Sequence, residues 1–375
     1  MIYVFNSGLR GRYRQNVLNT LLLPDGCANR YRYRSRGDRV NINPQDREKL
    51  LRAKRGTDVA VVFIDRFSGQ DYRYYPIRLG KLVACKEDGD QMFFFVKLES
   101  FLWSHAPDAT SQRLRQHLDM LGIPRLTRGN PEETNDGHYA VIGESLFKDK
   151  DLFKWGDDAW EPAAKALSAM PAFTPSQEQP EFIVFARAQL LNSNGTRRQK
   201  PRVTRQGTDY FRLARGIDYV LHLRYMYPPQ RTDPANEATL AVNASDSIRR
   251  LPESPVRINS FIETVTQRLA VKRFTEDAHA SIDFHFSRDR APGLLGSDAS
   301  LQIQVVDARR FWLATFVAVV FFVIGGALTA MNVPAGQEAT LKTFVAQLTT
   351  WKVIGAGIQA AMLFVLARLI GKKIL

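Results

Sequence analysis

The chain has 375 residues, with 52 Lys and Arg against 38 Asp and Glu, a net charge of +14 at neutral pH. Hydrophobic residues at 45%, aromatic residues at 11% and charged residues at 24% exclude a disordered polyelectrolyte and suffice for more than one folded domain. Two cysteines, Cys27 and Cys85, exclude a disulfide-dense scaffold and a cysteine-rich zinc module, and they fit a reducing compartment.

Met1 to Ser7 carries no basic leader, and Arg10, Arg12 and Arg14 fall where a secretory signal needs its apolar core, so the N-terminal part is expected in the cytosol. Ile2 to Phe5 and Val59 to Ile64 read as buried strands, and Asp46 to Arg55 as a short helix opened by Pro44. Residues 1–60 hold 13 basic against 5 acidic side chains, a surplus of +8 and more than half that of the whole chain. Within them, Arg30, Arg32, Arg34 and Arg36 share one face of an extended segment and Tyr31 and Tyr33 the other. Four guanidinium groups on one face repel unless phosphates or carboxylates lie across them. Arg10, Arg12, Arg14, Arg30, Arg32, Arg34 and Arg36 are therefore candidate ligands for an anionic signal, a nucleic acid or an acidic partner protein. Two other readings stay open: a charged edge strand that resists aggregation, and a patch drawn to anionic headgroups.

A meander follows, with strands at Tyr72 to Tyr75, Ile77 to Cys85 and Met92 to Leu98 and a hairpin turn at Glu87-Asp88-Gly89-Asp90. It predicts a small β-barrel. The run Tyr75 to Val83 (YPIRLGKLV), after Phe63 to Phe67 (FIDRF), resembles the strand pair of PUA-like or EVE-like barrels, which implies a module of a kind that often binds modified nucleic acid. Helices are expected at Ser111 to Leu121 and at Asp157 to Met170, where Trp160, Ala163, Ala164 and Leu167 recur at helical spacing. Residues 1–170 are thus expected to be a mixed domain with a basic face.

Residues 171–180, with Pro171, Pro175 and Pro180, read as a linker. Beyond it, 181–308 alternate with the period of antiparallel strands, at Phe182 to Leu190, Asp218 to Tyr227, Ala238 to Asn243, Val256 to Thr266, Ala280 to Phe286 and Ser300 to Val306. That spacing predicts an immunoglobulin-like β-sandwich. His279, Ser281, Asp283 and His285 share one strand face; the same alternation suits any half-exposed strand, and no fourth metal ligand accompanies them.

The mean hydropathy of −0.26 averages over a last segment of different character. Phe311 to Met331 is an uncharged run of 21 residues, enough for a transmembrane helix, and Val353 to Ile370 reads as a second. Residues 309–375 are accordingly expected to be a two-helix membrane hairpin. Basic residues 309, 310, 368, 372 and 373 lie outside it, against 342 and 352 within, which predicts a multi-pass inner-membrane protein with the N-terminal domains and the C-terminus cytosolic. Small residues Ala314, Ala318, Gly325, Gly326, Ala330, Gly357 and Ala361, with polar Gln359, are the candidates for helix packing or a pore. Leu341, Phe344, Val345 and Leu348, with Trp351 as anchor, form a candidate interfacial amphipathic helix.

No phosphate-binding loop, nucleophile elbow, HExxH pair or cysteine pair at ligand spacing is present, so neither an enzyme nor a cofactor or metal is expected. The layout, α+β and all-β domains ahead of a helical hairpin, resembles the two-transmembrane effectors of prokaryotic antiviral systems. That resemblance implies a sensor that homo-oligomerises and depolarises the lipid bilayer it sits in. The alternative is a tethered scaffold or a protein that binds nucleic acid or another anionic ligand, with the hairpin only as anchor.

Overall fold

The computed structural model describes residues 1–8, 10–37, 41–42, 44–66, 72–104, 106–120, 138–147, 153–173, 182–226, 238–251, 255–257, 262–273, 275, 277–288, 294–295 and 299–306. Met1–Val305 form one compact unit.

Its first half comprises β1 (Ile2–Ser7), α1 (Gly11–Leu22), β2 (Ala28–Arg34), α2 (Pro44–Leu51), β3 (Asp58–Arg66), β4 (Tyr72–Asp88), β5 (Gln91–Ser104), α3 (Pro107–Met120), β6 (Tyr139–Ile142), β7 (Phe153–Trp155) and α4 (Trp160–Ser168). The strands form one mixed sheet in the order β2-β5-β4-β3-β1-β6, with β7 on the far end of β5. β1 and β3 are parallel, Ile2 opposite Val59, as expected of strands separated by a helical crossover. Both are buried on both faces, which explains their unbroken apolar sequence. Ile2, Val4, Val59, Val61 and Phe63 point into one core, whereas Tyr3, Phe5, Ala60, Val62 and Ile64 point into a second, beneath Leu114 and Leu118 of α3.

The second half comprises β8 (Phe182–Ile183), β9 (Phe185–Leu191), β10 (Arg202–Val203), β11 (Asp209–Ala214), β12 (Asp218–Met226), β13 (Ala238–Ala244), β14 (Ile248–Leu251), β15 (Val256–Arg257), β16 (Ile262–Val271), β17 (His279–Arg288), β18 (Leu294–Leu295) and β19 (Ser300–Val306). Two sheets, β10-β11-β19-β17-β13-β15 and β14-β16-β12-β9, bury Leu240, Ile282, Leu301 and Ile303 of the first and Leu221, Leu223, Tyr225 and Leu269 of the second in one core. This arrangement is compatible with a β-sandwich.

The same core cluster continues without a break into the first half, through Met170, Phe173 and Phe185. Phe173 packs against Phe63 at 5.1 Å in a tilted arrangement and against Phe185 at 5.4 Å edge to face, between centroids. Of the proline-rich segment, Phe173 is held in the core with Ala172 packed against it, Pro171 is exposed, and 174–181 lie outside the described residues. β9 is buried along all of its length except Gln189, because the sandwich covers one of its faces and the first half of the chain the other.

In the first sheet, the end strands β2 and β6 are linked through residues 41–42: Asn41 N–H donates to the Arg34 carbonyl at 2.9 Å, Ala140 N–H donates to the Asn41 carbonyl at 3.1 Å, and Ile42 bridges Ala140. One expectation is corrected. The membrane architecture is not found. Among the described residues no helix is long and apolar enough to cross a membrane. The longest, α3, has 14 residues, about 21 Å of rise against a hydrocarbon thickness of about 30 Å, and it carries a polar face of Gln112, Arg113 and Gln116. The two-helix hairpin, the pore and the multi-pass inner-membrane localisation are therefore set aside. The segments that suggested them, 311–331 and 353–370, lie outside the described residues. So do Ala314, Ala318, Gly325, Gly326, Ala330, Gly357, Gln359 and Ala361, as well as Leu341, Phe344, Val345, Leu348 and Trp351.

Candidate functional site

β2 stands at the end of the first sheet, paired as a strand with β5, while Asn41 N–H donates to the Arg34 carbonyl at its end. Its residues alternate strictly: Tyr31 and Tyr33 are buried, while Arg30, Arg32 and Arg34 are exposed. The tyrosines hold the strand in place. The Tyr31 hydroxyl lies 2.7 Å from Thr20 Oγ1 on α1, and burial pushes this phenol up to about 12. The Tyr33 hydroxyl donates to the Phe5 carbonyl. With the phenols fixed inward, the pleat forces all three guanidinium groups outward.

Antiparallel register sets the neighbours of that row. Arg30 lies opposite Phe95, Arg32 opposite Phe93 and Arg34 opposite Gln91, and Lys86 of β4 lies opposite Phe93 on its other side. Directly opposed residues point to the same face, so three arginines, one lysine and two half-buried phenylalanines share one surface. The Arg30 guanidinium is 5.6 Å from the Phe93 centroid and Lys86 Nζ is 5.5 Å from the Phe95 centroid, within cation–π range.

A second basic element lies beside this surface. Between β9 and β11 the chain runs Arg197-Arg198-Gln199-Lys200-Pro201-Arg202-Val203-Thr204-Arg205 with no acidic residue before Asp209. Pro201 packs over Gly26, Arg55 Nη2 donates to the Val203 carbonyl at 3.4 Å and Lys86 Nζ to the Gln206 carbonyl at 3.5 Å. The turn at Thr204 to Thr208 closes over Phe95. Gly207 sits there with φ +92°, and a Cβ would fall 2.4 Å from the phenylalanine ring; only glycine permits both the backbone angle and the approach. Under this arm the Cys27 thiol donates to Asp209, and burial pushes both groups up.

Among the described residues, Arg30, Arg32, Arg34, Lys86, Lys97 and Arg205 have no carboxylate partner. Arg36 differs. It follows β2 and pairs with Glu87 at 3.0 Å, and Glu87 also takes Arg47 and a hydrogen bond from Ser35 Oγ at 2.7 Å. The Arg47 hydrogen bond, with those of Ser35 and Arg36, draws the Glu87 carboxyl down to about 2. Arg36 thus anchors the end of the strand with its charge already satisfied.

The other arginine group lies elsewhere. Residues 11–22 form a helix because Tyr13, Val17 and Leu21, with Leu18 and Leu22, recur on one side and bury there. Arg14 is carried into the interior by that periodicity, while Arg10 and Arg12 are exposed with their guanidinium carbons 5.9 and 4.8 Å from the Tyr13 ring. Tyr13 stacks on His138 at 3.7 Å, and His138 on Tyr33 at 4.4 Å, with its Nε2 2.7 Å from the Arg32 carbonyl. The two groups are connected through this stack behind β2 and are not gathered into one row.

The arm and the sheet are locked together by a charged joint. Arg78, wholly buried, donates from Nε to the Glu99 carbonyl at 2.9 Å, from Nη1 to the Thr20 and Leu23 carbonyls at 2.5 and 2.7 Å, and from Nη2 to Asp25 at 2.7 Å. It lies 4.1 Å from the Phe101 centroid, with Arg187 of β9 at 4.8 Å. Burial lowers the pKa of both arginines. Arg187 pairs with Asp157, and Arg198 of the basic arm bridges Asp157 and Asp25. Farther along, Arg224 of β12 pairs with Glu161 at the start of α4.

His279 and His285 are exposed on β17, and Asp283 accepts from Ser281 Oγ at 2.9 Å. A cavity of about 10 Å³ lined by Tyr75, Trp103 and Leu167 has room for one water at most. Sequence reasoning missed Phe93, Lys86 and the arm from Arg197 to Arg205. The arm was visible as a charge run without acidic residues, whereas the phenylalanines read only as strand formers. No family model matches the chain and no curated protein matches its sequence.

Proposed function

We propose that this chain binds nucleic acid across the surface made by β2, β5 and β4 and the arm at 197–205. The observation that carries the reading is the row of Arg30, Arg32 and Arg34, exposed along β2 with no carboxylate partner among the described residues. Alternate residues on a strand are about 6.8 Å apart, twice the roughly 3.4 Å axial rise per phosphate of one strand in a DNA duplex. The row is thus matched to a linear polyanion, whereas a small phosphorylated ligand engages one or two such groups. Planar guanidinium groups also suit phosphate through paired hydrogen bonds. In this reading the polyanion is the anionic signal that the excess of +8 in the first 60 residues calls for.

The test is binding of a labelled oligonucleotide by fluorescence anisotropy over a series of salt concentrations, with the wild type and an Arg30→Gln, Arg32→Gln, Arg34→Gln variant. Each phosphate contact contributes about 0.7–0.9 to the slope of log affinity against log salt. The triple variant is expected to lower that slope by about 2–3. An unchanged slope and affinity would assign the row to solubility and end the reading.

A further inference from the structure

Phe93 and Phe95 are neighbours on the same basic surface, and the protein treats them differently. The turn at Thr204 to Thr208 covers Phe95, with Gly207 against the ring. That turn is tied by Thr204 N–H donating to the Thr208 carbonyl at 2.8 Å and Thr208 N–H donating to Thr204 Oγ1 at 3.2 Å. Phe93 is half-buried between Arg32 and Lys86 in the register, with Arg30 5.6 Å from its centroid. An apolar ring set among unpaired cations attracts an occupant that is planar and aromatic and that carries negative charge on either side of the plane. A nucleotide meets both requirements: its base offers a π-face and its flanking phosphates meet the cations.

The geometry points to Phe93 as a stacking platform for an unpaired base, so that the ligand class is single-stranded nucleic acid with its backbone along Arg30, Arg32 and Arg34; this rests on the nucleic-acid reading above. In a duplex the bases are paired and stacked on one another, and a ring standing on a β-sheet cannot reach a base face without opening the helix. Phosphate contacts do not distinguish the two forms. The discrimination falls to Phe93, and the arm, with Arg205 next to the covered Phe95, bounds the platform on one side.

The test uses the full chain with two labelled probes, a short oligothymidylate and a fully paired duplex hairpin, at one moderate salt concentration. Phe93→Leu keeps an apolar side chain in the strand and removes the π-face; Phe93→Tyr restores it. The expected result is that Phe93→Leu weakens oligothymidylate binding by about tenfold, in line with the loss of one base–aromatic stack. Duplex binding changes less than about twofold, and Phe93→Tyr recovers the wild-type affinity. Equal weakening of both probes, or no weakening of either, overturns the stacking role. If the wild type binds neither probe better than the Arg30→Gln, Arg32→Gln, Arg34→Gln variant does, the nucleic-acid reading fails and this one with it. If the arginine variant loses binding while Phe93→Leu does not, the single-strand inference alone is overturned.

Discussion

Replacing Arg78 with Met measures how much the unit depends on one buried guanidinium that ties α1 and the turn after it to β4 and β5. The wild-type side chain has no exposed surface and makes four hydrogen bonds, three to the carbonyls of Thr20, Leu23 and Glu99 and one to Asp25. Methionine occupies similar volume but donates to none of them. The three carbonyls lose a charge-assisted donor in a dry setting, at about 1 kcal/mol each, and the cation–π contact with Phe101 is worth about 1 kcal/mol more. Asp25 is 39% exposed and regains water, so its loss of a partner adds little. The sum, about 4 kcal/mol, matches the roughly 3–5 kcal/mol for breaking a buried charged network at one member, and it is a large share of the roughly 5–15 kcal/mol typical of a folded protein. Urea unfolding of the full chain, followed by tryptophan fluorescence, reads it directly. A loss below about 1 kcal/mol, the size of an ordinary surface substitution, would show that Arg78 does not tie these segments together. Since Asp25 precedes Gly26 and Pro201 packs there, the variant is also expected to loosen the basic arm.

Two further outcomes follow from the ionisable groups. Hydrogen bonds from Arg47, Ser35 and Arg36 hold the Glu87 carboxyl down at about 2 from its ordinary 4.5. Its contribution to stability is therefore complete above about pH 4.5 and is lost as pH falls towards 2. Glu87→Gln should be less stable than the wild type at neutral pH, with the difference closing along that acid limb in thermal melts; a difference independent of pH would refute the pairing. Burial pushes the Cys27 thiol well above its ordinary value and the Cys85 thiol to about 12. Both should resist iodoacetamide at mildly alkaline pH in the native protein and react on unfolding, read by mass spectrometry; alkylation of native protein at the rate of a free thiol would contradict the raised pKa of the buried Cys27 and the half-buried Cys85.

The local facts of this protein are written in its sequence wherever neighbours along the chain decide them. Arg30 to Arg34 alternate with Tyr31 and Tyr33, and the strand period alone places the arginines outside and the tyrosines inside. The unbroken apolar runs of β1 and β3 likewise announce strands buried on both faces. Tyr13, Val17 and Leu21 also carry the helical period of α1, and that period takes Arg14 inward while Arg10 and Arg12 stay exposed. The hydrophobic runs near the C-terminus pointed to a membrane hairpin, which no described helix provides.

Charge partnership was beyond such reasoning. Arg36 and Glu87 meet from positions 51 residues apart, and Arg187 meets Asp157 from 30. No period along the chain signals either pair, so nothing local separated the satisfied Arg36 from the unsatisfied Arg30, Arg32 and Arg34. Sequence determined that this protein carries a row of arginines on one strand face, because pleating is a property of consecutive residues. Tertiary structure alone decided which of those cations lack a partner, that the arm at 197–205 joins them, and that the turn at Thr204 to Thr208 rests on Phe95 rather than Phe93, because each depends on segments distant in sequence that meet only when the arm packs on the first sheet.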